Sequence, residues 1–350
     1  MTATPSPLSR VGVVVIGRNE AHHLADCIRS IPGDVAGVVY VDSASVDGSA
    51  AVAAGCGAEV VELNPQGPIS AAGARNAGFE RLLQRHSDLA LVQFVDGDCV
   101  LDPGWLPEAV KAIDADHSLG AVWGMLRERY PEASIYNRVS ELEWRVPPAG
   151  ETSYFGGLVL IRVEAFRAAG GFDPGVVASE DQELSARVRA KGWRIQRIAT
   201  LTGVHDSRIM RFGQWWRRGV RRGVGYGQTW SRHGGRSDRA AIAKIVGWAG
   251  VLPCSAIAAA WPTRGLSLAV LLLYPLRALR TAIRFARREG SYRDGLVWGA
   301  YCVLAPFPAL LGLIQYCLRS GRGRGVQIIE YRGPEPTPTP TQPPTGRTSP

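Results

Sequence analysis

Cysteine is sparse in this chain, and its spacing suits no known cluster. Cys27, Cys56, Cys99, Cys254, Cys302 and Cys317 form no C-x-x-C pair and no ligand-like series. That excludes a zinc-ribbon or disulfide scaffold and fits a reducing compartment. The glycine cluster G-x-G-x-x-G is also missing. After the first apolar run the chain reads Gly17-Arg-Asn-Glu20, which excludes a dinucleotide-binding dehydrogenase. The segment Met1–Arg10 lacks the apolar core of a signal peptide, so the first domain is expected in the cytoplasm. Acidic residues become scarce after residue 204. Residues 205–350 hold 22 Lys/Arg against 6 Asp/Glu, a net charge of +16, whereas residues 1–204 hold 18 against 25, a net charge of −7. An ordinary acidic domain therefore precedes a segment that meets something anionic. Nucleic acid would call for polar basic patches without long apolar runs. The apolar stretches between the basic clusters favour an anionic membrane surface instead.

What is present begins as a regular alternation. Strand patterns fall at Val11–Ile16, Gly37–Val41, Glu59–Leu63, Leu89–Val95, Ala121–Leu126, Gly157–Ile161 and Arg194–Ile198. Helical patterns lie at Glu20–Ser30, Gly48–Ala54, Ser70–Arg85, Pro103–Asp114, Ser134–Val146 and Asp181–Lys191. Strands alternating with helices predict βαβ units around a largely parallel sheet. After His205 the composition changes. Residues 206–240 form a basic segment rich in Trp, Arg and Gly, read as flexible, whose Gln214-Trp-Trp-Arg-Arg218 suits anchoring at a membrane interface or a loop closing over a diphosphate. Residues 241–325 hold three apolar stretches, Ile245–Pro262, Leu266–Leu276 and Leu296–Leu318, set between Arg-rich clusters. The third carries no charge and is about long enough to cross a bilayer core, although Pro306 and Pro308 leave a re-entrant hairpin equally open. Residues 333–350 are Pro/Thr-rich and are expected to be disordered.

Two acidic motifs carry the chemistry. Asp96-Gly97-Asp98 ends the apolar run Leu89–Val95. A buried strand therefore delivers two carboxylates to its C-terminal edge, where open α/β sheets bind ligands. Hard oxygen donors there suit Mg²⁺ or Mn²⁺ and, through it, a diphosphate. Glu180-Asp181 is the second pair, and it opens a helical pattern. Transfer to a hydroxyl needs a base within reach of its proton, while an acidic pair at a helix start also serves as a cap.

The ordered set Val13-Val-Val-Ile-Gly-Arg-Asn-Glu20, Val41-Asp-Ser-Ala-Ser-Val-Asp-Gly-Ser49, Asp96-Gly97-Asp98, and Gly171-Phe-Asp-Pro174 leading to Glu180-Asp181 resembles a family 2 glycosyltransferase of the GT-A fold over residues 10–205. The resemblance implies a Rossmann-like mixed, mostly parallel sheet followed by an α-helical membrane-associated region. It places the backbone of Gly17, Arg18 and Asn19 beside the nucleotide, with capping of the next helix as a second role for Asn19. It gives Asp42 to the base, leaves Asp47 structural, and puts Arg75, in Gly73-Ala-Arg-Asn-Ala-Gly78, near the phosphates or on the helix surface. Asp98 then ligates the metal, Asp96 contacts ribose or metal-bound water, and His205 is a further ligand. Asp181 becomes the base of an inverting reaction and Glu180 orients the site, while Gly156-Gly157 leaves room for the acceptor.

Together these features lead to the expectation of a metal-dependent hexosyltransferase-type enzyme on the cytoplasmic face of the cell membrane. Its donor is a nucleoside-diphosphate sugar and its acceptor a hydroxyl, lipid-linked or at the bilayer, in cell-envelope polysaccharide or glycolipid synthesis. The competing readings are a non-catalytic membrane-associated nucleotide-sugar-binding protein and a sugar-phosphate nucleotidyltransferase.

Overall fold

A computed structural model describes residues 6–66, 69–234 and 238–320. The tail assigned to 333–350 and the last residues of the apolar region, 321–325, lie outside the described residues. The chain runs β1 (Val11–Gly17), α1 (Ala21–Arg29), β2 (Gly37–Asp42), α2 (Ser49–Gly55), β3 (Glu59–Glu62), α3 (Ala71–Arg85), β4 (Leu91–Asp96), β5 (Cys99–Leu101), α4 (Trp105–Ala115) and β6 (Leu119–Glu128). It continues through α5 (Ile135–Arg145), β7 (Gly150–Glu151), β8 (Val159–Arg162), α6 (Val163–Ala169), α7 (Glu180–Ala190) and β9 (Arg194–His205). The helices α8 (Phe212–Arg232), α9 (Arg239–Ile245), α10 (Leu252–Ala258), α11 (Leu273–Glu289), α12 (Tyr292–Leu304) and α13 (Pro306–Ser320) follow.

One sheet in the order β3-β2-β1-β4-β8-β6-β9-β5, with β7 beside β9, holds every strand among the described residues. Strands β1 to β4, β6 and β9 share a direction, while β5, β7 and β8 oppose it. The sheet is therefore mixed, with the longer ladders parallel. Helices cover both faces, so Val11, Val13 and Val15 pack on one side and Val14 and Ile16 on the other. Burial on both faces is why β1 reads as an unbroken apolar run. Gly78 lets α3 lie close on β1 and β2, since a Cβ there would stand 2.4 Å from Val14 Cγ1.

The short strands β5 and β7 and the helix α6 carry too little periodicity to be read from sequence. The larger difference is α8. The stretch read as flexible is a 21-residue helix. Its Trp215 is buried against Val139, Ile209 and Tyr301, with Trp216 packed beside them, so these tryptophans anchor protein to protein rather than to lipid. Arg218 and Arg222 of α8 bond to Glu143 of α5, which also accepts from the Tyr301 hydroxyl. Neither is the third apolar stretch a re-entrant hairpin. Ala305 keeps a helical backbone, so α12 leads straight into α13 at Pro306 and the two form one 29-residue apolar span, Tyr292–Ser320. Among the described residues, Arg239–Ala258, Leu266–Glu289 and Tyr292–Ser320 are long and apolar enough to cross a membrane. Leu266–Glu289 reaches well past the apolar stretch that marked it, into the Arg-rich segment that follows.

Candidate active site

The C-terminal ends of β1, β2 and β4 lie side by side, so the parallel register sets Gly17 opposite Asp42 and Ile16 opposite Asp96. Beyond β1, Asn19 adopts a left-handed backbone (φ 56°). Its N–H donates to Ser45 Oγ, and its Oδ1 accepts from the Val46 N–H. Asn19 thus ties the β1 loop to the β2 loop and does not cap α1. Asp47 does that work across the gap, accepting from the Ala21 N–H. Arg18 is exposed at the same edge. The carboxylate of Asp42 is buried, accepting from the Tyr40 hydroxyl at 3.1 Å and the Ser45 N–H at 2.8 Å. Those bonds fix its orientation at the sheet edge.

Strand β5 turns back directly after Asp98, and its antiparallel register puts Cys99 opposite His205. Asp98 is consequently brought to His205, with Oδ2 3.4 Å from Nε2. Trp144 packs edge-on against the His205 ring. Candidate ligand atoms of Asp98, Cys99 and His205 all lie within 4.8 Å of one another. A carboxylate and an imidazole converging at a nearly closed edge fit a divalent cation such as Mn²⁺ or Mg²⁺. Cys99, directly behind them, donates its thiol to Asp98 Oδ1 at 3.4 Å.

Arg75 is not a surface residue. It is 3 % exposed and lies among three carboxylates. Its Nη2 donates to Asp96 Oδ1 at 2.9 Å and its Nη1 to Glu180 Oε1 at 2.9 Å, with Asp181 Oδ1 3.5 Å from Nη1. The guanidinium lies over the Phe172 ring, 5.2 Å from its centroid. Both acidic motifs therefore meet on one buried cation. Glu180 and Asp181 sit in the first turn of α7, whose N-cap is Ser179. Asp181 is inside the helix rather than at its cap, and its buried Oδ1 accepts no hydrogen bond from the described residues. Burial pushes the Asp181 carboxyl up to about 7; Arg75 opposes the rise, while Glu180 and Asp96 add to it. Glu180 is also disfavoured as an anion by burial, yet Arg75 and then Arg221 hold it below the usual carboxylate range. The ionisations of two adjacent carboxyls are thereby driven apart.

Two residues of this site, Asn76 and Glu128, escaped the sequence reading. Asn76 clamps the Phe172 backbone, donating to its carbonyl at 2.8 Å and accepting from its N–H at 2.9 Å. The Gly171–Pro174 loop is thereby fixed beneath Arg75. Its signal was its place beside Arg75 in the same short motif. Gly157 makes room for the junction, because a Cβ there would stand 2.9 Å from Asp96 Oδ2. Glu128, buried at the end of β6, accepts from the Ser207 N–H and so holds the chain just after His205. Nothing local in the sequence marked it.

A sequence model of the family described as Glycosyl transferase family 2 matches residues 12–170. A second model, described as the N-terminal domain of galactosyltransferase, matches residues 137–208. Over 240 residues the chain is 24 % identical to Glycosyltransferase AglE of Haloferax volcanii, covering 64 % of this chain and 75 % of that protein. The solved mannosyltransferase PcManGT from Pyrobaculum calidifontis, in complex with GDP-Man and Mn²⁺, superposes with a TM-score of 0.58 at 22 % identity, covering 89 % of this chain and 90 % of that one. The superposition establishes the GT-A type of fold with its helical C-terminal region.

Proposed function

Because the chain belongs, through residues 12–170, to glycosyl transferase family 2, we propose that it moves a sugar from a nucleoside-diphosphate sugar to a hydroxyl acceptor with inversion at the anomeric carbon. The observation that carries this reading is the meeting of Asp96, Glu180 and Asp181 on Arg75, beside the Asp98–His205 pair. Asp181 takes the proton from the acceptor hydroxyl, its pKa of about 7 being matched to a base that works near neutral pH. The acceptor oxygen then attacks the anomeric carbon opposite the departing diphosphate. Asp42 receives the base, Arg18 and Asn19 flank the nucleotide, and Asp96 lies near the ribose. Asp98 and His205 are the residues that would hold a divalent cation, which when bound supplies neutralising charge for the leaving diphosphate. Arg75, with both Nη atoms on carboxylates, assembles the acidic cluster.

The acceptor belongs at a membrane on this reading, lipid-linked and met from the cytoplasmic face. The three long apolar helices support it, as do the leucines they expose. Trp261, between the first two, is 93 % exposed and Leu266, at the start of the second, 77 %, a degree of apolar exposure that soluble surfaces avoid. Basic side chains of α11, Arg277, Arg280, Arg284, Arg287 and Arg288, follow the apolar stretch Leu266–Leu276, as interfacial binding to anionic lipid would require. The test is a donor screen. Purified protein with Mn²⁺ or Mg²⁺ would be offered UDP-, GDP- and dTDP-sugars, GDP-mannose first given the ligand of the structural neighbour. Release of nucleoside diphosphate from one donor class, dependent on the metal, is expected. Cleavage of none of them by full-length protein in lipid would overturn the proposal.

A further inference from the structure

Helix α8 is gripped on two faces at once. On one face it holds the loop that leads into α7. Gln228, 2 % exposed, accepts from the Val177 N–H and donates to the Gly175 carbonyl, both at 3.1 Å. Arg221 donates to the Val177 carbonyl at 3.3 Å, and Arg232 pairs with Asp173. Next in the loop comes Ser179, a residue with a Cβ held at φ 60°. Such a conformation persists only where its surroundings enforce it. Gly225 supplies that enforcement by close approach, for a Cβ there would lie 2.3 Å from Ser179 Oγ and 2.9 Å from the Ala178 carbonyl.

The opposite face of α8 cannot back away. Gly219, Gly223 and Gly227, four residues apart, press on Pro308, Ala309 and Tyr316 of α13. A Cβ on Gly223 would stand 2.0 Å from the Ala309 carbonyl, and one on Gly312 would stand 2.0 Å from the Val220 carbonyl. Small residues at this spacing let two helix backbones approach closely. Any strain introduced at Gly225 is therefore passed to the loop and not absorbed by α8.

We propose that α8 sets the position of Asp181 through Gln228 and Gly225, which act as positioning residues on the 175–179 loop. The inference rests on Asp181 as the base. Neither residue touches the nucleotide edge of the sheet, and the start of α7 is linked to Asp96 through Arg75, so their effect falls chiefly on the chemical step. A displacement of the order of 1 Å at a reacting group can lower a rate about 100-fold.

The experiment compares Gly225→Ala, Gln228→Met, Ser179→Gly and the double variant Gly225→Ala/Ser179→Gly in the full chain with Mn²⁺. The substrate is whichever of the UDP-, GDP- and dTDP-sugars is turned over fastest. For Gly225→Ala, kcat should fall at least about 10-fold, while KM for the donor and the calorimetric affinity for the matching nucleoside diphosphate stay within about twofold. Removing the Ser179 side chain clears the 2.3 Å contact with its Oγ and leaves the 2.9 Å approach to the Ala178 carbonyl, so the double variant should recover a large part of the lost kcat. A general loosening of the helix would not be reversed in this way. Gln228→Met, of similar size but without either hydrogen bond, should show the same split, and it decides the matter if Gly225→Ala does not fold. Unchanged kcat in both variants, or a loss that Ser179→Gly fails to reverse, overturns the inference. Asp181→Asn run alongside separates the two layers: if it alone retains turnover, the base assignment has failed rather than the role of α8.

Discussion

Replacing Asp181 with asparagine should stop transfer and yet make the protein more stable above neutral pH. An aspartate in an unfolded chain ionises near 3.9, whereas in the fold burial pushes Asp181 to about 7. Below about pH 4 the group is neutral in both states and contributes nothing. As pH rises from there the unfolded chain ionises first, so the native state loses stability until about pH 7, where the penalty is complete. At about 1.4 kcal/mol per unit, a rise of roughly three units sets an upper bound of about 4 kcal/mol. Glu180 shares the interaction and is held in the opposite direction, so about 2–4 kcal/mol is expected. Asparagine keeps the size of the side chain and removes the charge. Full-length protein in detergent should therefore melt several degrees higher at pH 8 as Asp181→Asn, and at the same temperature as wild type at pH 4. Transfer at pH 8 should fall about 10²–10⁴-fold, the usual consequence of losing a general base. If the variant melts at or below wild type at pH 8, Asp181 is an ordinary ionised carboxylate and the argument from its burial is wrong.

The same carboxyl should shape the pH profile: transfer by wild type should rise through about pH 7 as Asp181 ionises, and a flat profile between about pH 6 and 8 would contradict it. Glu143 joins the catalytic domain to the C-terminal helices. Burial opposes its ionisation, but Arg222 and Arg218 hold it down at about 2. Glu143→Gln should cost about 2–3 kcal/mol near pH 7, less than a fully buried pair because Arg222 is a third exposed. Glu143 stabilises the fold above its ordinary pKa of about 4.3 and ceases to do so as pH falls toward 2, so the deficit should shrink over that window in denaturant titrations. A deficit independent of pH would place the effect elsewhere. Membrane fractions washed at about 1 M salt should retain the full chain, since salt screens its arginines but not its exposed leucines. Release without detergent would mean that the apolar helices face a protein partner.

Much of the sheet could be read because its strands are buried on both faces. Val11–Ile16, Gly37–Val41 and Leu89–Val95 are apolar runs too short for helices, bounded by turn residues, and the last two deliver Asp42 and Asp96–Asp98 to one edge. What the sequence concealed depends on partners far along the chain. Arg75 is helical in pattern and basic, features shared with any surface arginine, and only pairing with Asp96 and with Glu180, 105 residues away, makes it a buried junction. The glycines of α8 suggest freedom when read alone. Their four-residue spacing becomes a packing stripe only once α13 lies against it, some 90 residues later. Pro306 likewise reads as a break, but proline is tolerated in the first turn of a helix, and Ala305 carries the helix into it. The helix cap offered by Asn19 went to Asp47, because the left-handed turn at Asn19 points its side chain toward the β2 loop.

The most direct measurement separates donor binding from chemistry at this one site. Titration calorimetry with the matching nucleoside diphosphate and Mn²⁺ would be run on wild type, Asp98→Ala and Asp181→Asn, beside turnover of the corresponding nucleotide sugar. Asp98→Ala should lose the metal-dependent part of binding and with it turnover. Asp181→Asn should bind nearly as wild type and transfer about 10²–10⁴-fold more slowly. Near wild-type transfer by Asp181→Asn, or metal-dependent binding that survives Asp98→Ala, would contradict the assignment of base and metal site made here.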